Sequence, residues 1–169
     1  NSVLVRSGDR IYIAVRAWDR DIASARSSQL RRDADQSSDD NVTILIDSYR
    51  DRRGAFLFRT NPGGAMWDGQ LTGLESVNQN WNGIWDVATA VDSLGWTAEF
   101  RIPLSQLRYA KGESNSFGFG VWRDIERYAE RESWPVYRPA TNGLSSQLGR
   151  LTGLTGITEL ADAQRLLVE

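Results

Sequence analysis

The stretch Gly95-Trp96-Thr97-Ala98-Glu99-Phe100-Arg101-Ile102-Pro103 reads apolar and polar by turns. Trp96, Ala98, Phe100 and Ile102 fall on one side, Thr97, Glu99 and Arg101 on the other. A period of two marks a half-buried β-strand, because successive side chains of an extended chain point to opposite faces. Outward from this stretch the same period recurs. Asp92-Ser93-Leu94-Gly95 is a turn, and Ile84 to Val91 the strand before it. On the other side, Pro103 to Leu107 makes one helical turn, since Pro suits a helix's first position. Phe117, Phe119 and Val121 then alternate with Gly118, Gly120 and Trp122. Near the start, Val3 and Val5 lead through a hairpin turn at Ser7-Gly8-Asp9 to Ile11, Ile13, Val15 and Ala17. Val42-Thr43-Ile44-Leu45-Ile46 is almost continuously apolar, as expected of a strand covered on both faces. Ala55 to Thr60 ends at Asn61-Pro62-Gly63-Gly64, and Ala65 to Leu71 pairs back across that turn. Asp19 to Asp40 is a polar crossing loop with room for a short helix, Arg123 to Tyr137 fits no single period, and Leu151 to Leu160 closes with another strand. Eight or more short strands separated by turns predict an all-β, antiparallel β-sandwich spanning residues 1–169 as one domain.

Composition narrows the chemistry. The 169 residues are 40% apolar and 25% charged, which suits a globular domain with its own core. Cysteine is absent, which excludes disulfides, zinc thiolates and thiol catalysis. Histidine is absent too, which removes the Ser-His-Asp triad and the usual zinc and haem ligands. Lys111 is the only lysine among 20 basic residues, so 19 are arginine. With 22 acids the net charge is −2 and the signs are mixed, without the basic stripe of a nucleic-acid binder. No apolar run approaches the ~18 residues of a membrane helix, so membrane insertion is not expected. Asn1 to Ser7 lack the zones of a signal peptide. Any export signal is therefore expected upstream, and the chain reads as a piece of something longer.

Seven tryptophans invite a search for a ligand surface. Trp96 is in phase with Phe100 and Ile102, and Trp85 with Val87 and Val91, so both read as core. Trp122 shares its face with Gly118 and Gly120, which leaves a shallow floor for a flat ligand or for a loop that packs there. Trp67 stands next to Asp68 after a tight turn, Trp81 lies in Asn78-Gln79-Asn80-Trp81-Asn82, and Trp134 precedes a proline. Aromatic rings beside amides and carboxylates suit sugars, whose C–H faces stack while their hydroxyls are hydrogen-bonded. The same residues can also be plain loop anchors. Among the acids, Glu99 and Arg101 are spaced for an ion pair, and Glu130 and Glu132 flank Arg131. No paired-acid signature of a glycosidase is visible, and solvated or salt-bridged acids account for them. Asp19, Asp21, Asp39 and Asp40 stand at the two ends of the crossing loop, where the ends could meet around Ca²⁺.

The order of motifs carries a resemblance. Asp39-Asp40-Asn41-Val42 leads to Asp47, Asp51-Arg52-Arg53, Asn61-Pro62-Gly63-Gly64 and Asp68. Trp85, the Gly95–Pro103 stretch, Leu107-Arg108-Tyr109, Arg123, Glu132-Ser133-Trp134 and Gly149-Arg150-Leu151-Thr152-Gly153 follow. The chain resembles the family 9 carbohydrate-binding-module-like domain at the N-terminus of large bacterial envelope proteins, where an outer-membrane-type β-barrel follows. The resemblance implies an immunoglobulin- or DOMON-like sandwich, a periplasmic or extracellular place in the envelope, and binding of a glycan between tryptophans with calcium nearby. By motif position it points to Asn61, Asp68, Glu99, Arg101 and Arg123 as polar site residues, with a buried ion-pair network as their alternative role. Family members carry a strand upstream of the point where this chain starts. A bare sheet edge, and a homodimer through it, are therefore expected.

Two functions follow as expectations. The first is a non-catalytic glycan-binding module, with Trp122, Trp67, Trp81 and Trp134 as stacking surfaces. The second is a docking module for the adjoining β-barrel, with no sugar ligand. Haem relatives use His or Met ligands, and Met66 alone is available here, so no haem is expected.

Overall fold

The computed structural model describes residues 2–73, 76–109, 114–140, 143–155, 164–165 and 167–168. Its alternating stretches become thirteen strands among these residues: β1 (Ser2–Ser7), β2 (Arg10–Trp18), β3 (Asn41–Asp47), β4 (Gly54–Thr60), β5 (Met66–Thr72), β6 (Ser76–Asn78), β7 (Asp86–Asp92), β8 (Gly95–Pro103), β9 (Ser114–Ile125), β10 (Glu130–Trp134), β11 (Gly149–Thr155), β12 (Gln164–Arg165) and β13 (Leu167–Val168). They form two antiparallel sheets, in the orders β12-β1-β2-β8-β7 and β13-β11-β9-β3-β4-β5-β6. β10 lies beside the C-terminal half of β9, and β11 beside its N-terminal half. This is the all-β sandwich that the period of two predicts.

The deciding stretch is β8, which pairs along its whole length with β2 on one side and with β7 on the other. Trp96, Ala98, Phe100 and Ile102 are buried between the sheets with Ile11, Ile13, Ile44, Phe58 and Phe119. Each such side chain contributes roughly 1.5–3 kcal/mol by leaving water. Trp85 stacks on Phe100 at 5.8 Å and meets Phe58 edge-on at 5.3 Å. Trp85 and Trp96 are core residues, as their phase indicates.

All seven residues of β3 are buried. Val42, Ile44 and Ile46 face the inner core, while Leu45 belongs to a second cluster on the outer face with Leu57, Trp67, Trp122 and Leu144. The near-continuous apolar run therefore does mark a strand covered twice.

The crossing loop carries one 3-10 turn at Ile22–Ser24 and is held by carboxylates at both ends. Asp39 accepts hydrogen bonds from the Ser28 amide (2.7 Å) and hydroxyl (2.6 Å), the Gln29 amide (2.9 Å) and Asn61 Nδ2 (2.8 Å). Burial pushes the Asp39 carboxyl up, but these donors together hold it below the usual carboxylate value. Asp19 and Asp40 do meet, around the Arg127 guanidinium, at 2.6 and 3.3 Å.

Two local expectations are corrected, and the unassigned segment resolves. Arg101 pairs with Asp86 of β7 at 2.6 Å instead of Glu99, because Asp86 stands directly opposite it in register. The strand read from Ile84 begins at Asp86, and the Ile84 amide donates to Gln106 Oε1 at 2.9 Å. The segment without a period divides: β9 runs on to Ile125, and a 3-10 turn at Glu126–Tyr128 leads into β10. The last alternating strand is Gly149–Thr155, and residues 156–160 lie outside the described ones.

Candidate functional site

The described β1–β2 pairs run from Ser2–Val15 to Ser7–Arg10, and Arg16, Ala17 and Trp18 carry β2 on as an overhang against β8. Between this overhang and the β9–β10 ribbon lies an open cleft of about 610 Å³. Val15, Ala17 and Val121 give it apolar walls, and Trp18 and Trp134 line it as exposed indoles, 53% and 40% accessible. Arg16, Arg123, Glu132 and Ser133 supply its polar groups.

Each of these side chains is held. The Arg16 guanidinium lies 4.6 Å from the Trp18 ring centroid and grips Asp92 with two bonds of 2.6 and 2.8 Å. Those bonds bring the Asp92 carboxyl down to about 2. Arg123 is fixed between Asp19 (3.4 Å) and Glu132 (3.2 Å). Burial raises the Asp19 carboxyl, but its bonds to Arg127, the Asp21 amide and Arg123 keep it below the ordinary value. The Trp134 ring centroid is 6.3 Å from that of Phe119, and its outer edge lies against Gly149, where an added Cβ would overlap Cη2. The result is two oriented aromatic faces beside charged hydrogen-bonding groups, the chemistry a sugar ring requires. Glu132 is the only carboxyl among the described residues lining the cleft.

No protein-family model matches the sequence, and no curated protein does. Solved structures do match in fold. A protein from Bacteroides uniformis ATCC 8492, provisionally described as carbohydrate-binding, superposes with a TM-score of 0.67 at 15% identity, covering 89% of this chain and 77% of that one. A family 9 carbohydrate-binding module from Caldicellulosiruptor kristjanssonii in complex with glucose gives 0.55 at 17% identity, over 88% and 73%. A family 9 module of the same organism with cellotriose gives 0.53 at 17% identity, over 79% and 63%. The fold is that of a family 9 carbohydrate-binding module.

On this module fold the residues singled out from sequence separate clearly. Trp134 and Arg123 line the cleft. Trp122 is buried, with Arg131 4.4 Å above its ring and Tyr137 5.5 Å away. Leu148 fills the space over Gly120, so the loop that packs there is what the two glycines accommodate. Trp67 is buried beneath Arg59 at 4.6 Å, and Trp81 packs between Phe56 and Phe58 at 4.9 and 5.8 Å. Asn61 is fully buried, donating to Asp39 and Gln29 O and accepting from the Ala65 amide. Asp68 is buried too, bound by Arg32, the Gly83 amide and Trp85 Nε1 at 2.5, 3.0 and 2.8 Å. Asn61 and Asp68 thus take the ion-pair-network role. Glu99 and Arg101 are exposed on the outer face of the other sheet.

Trp18, Arg16 and Ser133 are the cleft residues that sequence reading passed over. The signal for Trp18 was present: with Tyr12, Ala14 and Arg16 it occupies the solvent phase of β2, as Trp122 occupies the non-core phase of β9. Among the described residues no group of three or more acids is placed to hold a metal ion. Where the loop ends meet, Arg127 stands between Asp19 and Asp40.

Proposed function

We propose that the chain is a non-catalytic glycan-binding module that seats a sugar in the cleft between Trp18 and Trp134. One observation carries the reading: two accessible, oriented indoles open onto the same cleft as Arg16, Arg123 and Glu132. The fold shared with sugar-binding modules supports it. Glycoside hydrolysis needs two carboxyls across the bond, and a single lining carboxyl suits binding instead. A glycan array followed by calorimetry tests the proposal. Trp18→Ala and Trp134→Ala are each expected to weaken binding about tenfold or more, as loss of a stacking anchor does. Unchanged affinity in both variants refutes this cleft as the site.

A second reading is docking on an adjoining envelope domain with no sugar ligand, favoured by the exposed Arg16–Asp92 and Arg101–Asp86 pairs on the outer face of β2, β7 and β8. Crosslinks from this face to an adjoining domain, in a protein that binds no glycan, would favour docking.

A further inference from the structure

The β3–β4 turn, Ser48-Tyr49-Arg50-Asp51-Arg52-Arg53, is shaped by one carboxylate. Buried Asp47 accepts from the Arg50 and Arg52 amides at 2.7 and 3.0 Å, and both arginines hold left-handed backbone angles, φ 53° and 62°. Such angles cost energy for any residue other than glycine, so Asp47 imposes the turn's course. The course divides the side chains. Arg50 and Arg52 line a small hollow beside Gly118 and Leu148, whereas Tyr49, Asp51 and Arg53 line a separate groove of about 320 Å³. That groove lies where β3 and β5 end and β4 begins, with Ile46 opposite Phe56 and Phe56 opposite Gln70 in register. It is distinct from the cleft. Val121 and Arg123 of the cleft stand opposite Ile44 and Val42, with β10 beyond them, while the groove takes Ile46 and Asp47 and spreads over β4 and β5.

Ala55, Phe56 and Leu71 give the groove apolar lining, and Trp81 backs Phe56 at 4.9 Å. Tyr49 is 57% accessible, and Gly54 and Gly73 add no side chains to the lining. Arg108 enters from the segment that follows β8 and the 3-10 turn Leu104–Gln106. The Ser48 hydroxyl donates to the Arg108 carbonyl and so ties that segment to the turn. Among the described residues, the side chains of Tyr49, Arg53, Gln70 and Arg108 have no partner. Asp51 accepts from the Arg53 amide at 2.9 Å through one of its two oxygens. Guanidinium and amide donors, carboxylate and amide acceptors and an accessible phenol ring thus share one groove. Its two guanidiniums, Arg53 and Arg108, stand against two carboxylates, Asp47 and Asp51, so the lining carries no net charge that would select an ion. Mixed donors and acceptors beside an aromatic face suit a neutral polyhydroxylated ring.

We infer that this groove is a second sugar site, which takes a neutral hexose oligosaccharide with one pyranose ring on Tyr49 and its hydroxyls on Arg53, Gln70 and Arg108. The inference rests on the proposed glycan-binding function but uses none of the cleft's residues. A module holding sugar at both places would engage neighbouring chains of one polysaccharide and gain avidity. Cellotriose, maltotriose and mannotriose serve as probes, titrated into the isotope-labelled full chain and followed by NMR. The Gln70 side-chain amide reports the groove, and the Trp18 and Trp134 indole N–H groups report the cleft. At least one probe should shift both sets of resonances, each with its own saturation curve. Tyr49→Ala should raise the Kd read at Gln70 about tenfold and leave the Kd read at the indoles unchanged. Tyr49 is exposed, so its removal spares the fold. Indoles that shift while Gln70 stays still overturn the inference and leave the cleft standing. A Gln70 amide that shifts alone keeps the groove and removes the cleft. An unchanged Kd at Gln70 in Tyr49→Ala overturns the inference too, because the ring then carries no sugar. If neither set moves, both readings fall.

Discussion

Asp39 shows how far one side chain can tie distant parts together. Four donors from Ser28, Gln29 and Asn61 converge on it, so the loop and the β4–β5 turn share one carboxylate. Asp39→Ala leaves those donors buried without an acceptor. It should cost roughly 2–4 kcal/mol in urea unfolding, with sugar affinity unchanged in the protein that remains folded. Gly149 acts at the same scale on the site itself. Gly149→Ala places a methyl group against Trp134 Cη2 and Cζ3, so the indole has to move. The Trp134 indole N–H resonance should shift in NMR spectra, and glycan affinity should fall with little loss of stability. An unshifted resonance would show that the ring does not rest on Gly149.

At the scale of elements, the crossing loop and the end of β9 depend on Arg127. It bridges Asp19 and Asp40, both nearly inaccessible, and the bond to Asp19 raises its own pKa above the ordinary arginine value. Without Arg127, Asp19 keeps Arg123 at 3.4 Å, but Asp40 loses its ion pair and stays buried. Arg127→Gln should therefore lower stability by about 3 kcal/mol and open the 19–40 segment to proteases before the sandwich unfolds. Simultaneous loss of all structure would mean that loop and sandwich form one cooperative unit. The contrast with the Glu99–Arg101 spacing is instructive. Residues two apart on a strand share a face, but the directly opposite residue of the next strand lies nearer, and Asp86 takes the arginine.

For the whole molecule, acid stability follows from which carboxyls are shifted and in which direction. Asp19, Asp39 and Asp92 sit below their unfolded values, so their contribution is complete above about pH 4 and is lost as pH falls through the folded values. Asp47 has the opposite sign: burial raises its carboxyl, so its charge opposes folding at neutral pH and is relieved by acid. Three lowered carboxyls against one raised predict a net loss of stability below about pH 4, read as a falling urea midpoint. Asp39→Asn should flatten that fall. A midpoint that rises on acidification would mean that Asp47 dominates.

Alternation alone determined the sandwich. Trp96 to Ile102 and Ile11 to Ala17 each state which face is buried, because a strand's side chains have no choice but to alternate, and the apolar run at Val42 states that both are. It also separated Trp85 and Trp96, as core, from the remaining tryptophans. Which of those open to solvent was decided by contacts between segments far apart in the chain. Leu148 and Tyr137 close over the Trp122 face and Arg59 covers Trp67, whereas Trp18 and Trp134 stay open along the cleft. Local sequence specifies a residue's face, but whether anything lies against that face depends on chain that folds back from elsewhere.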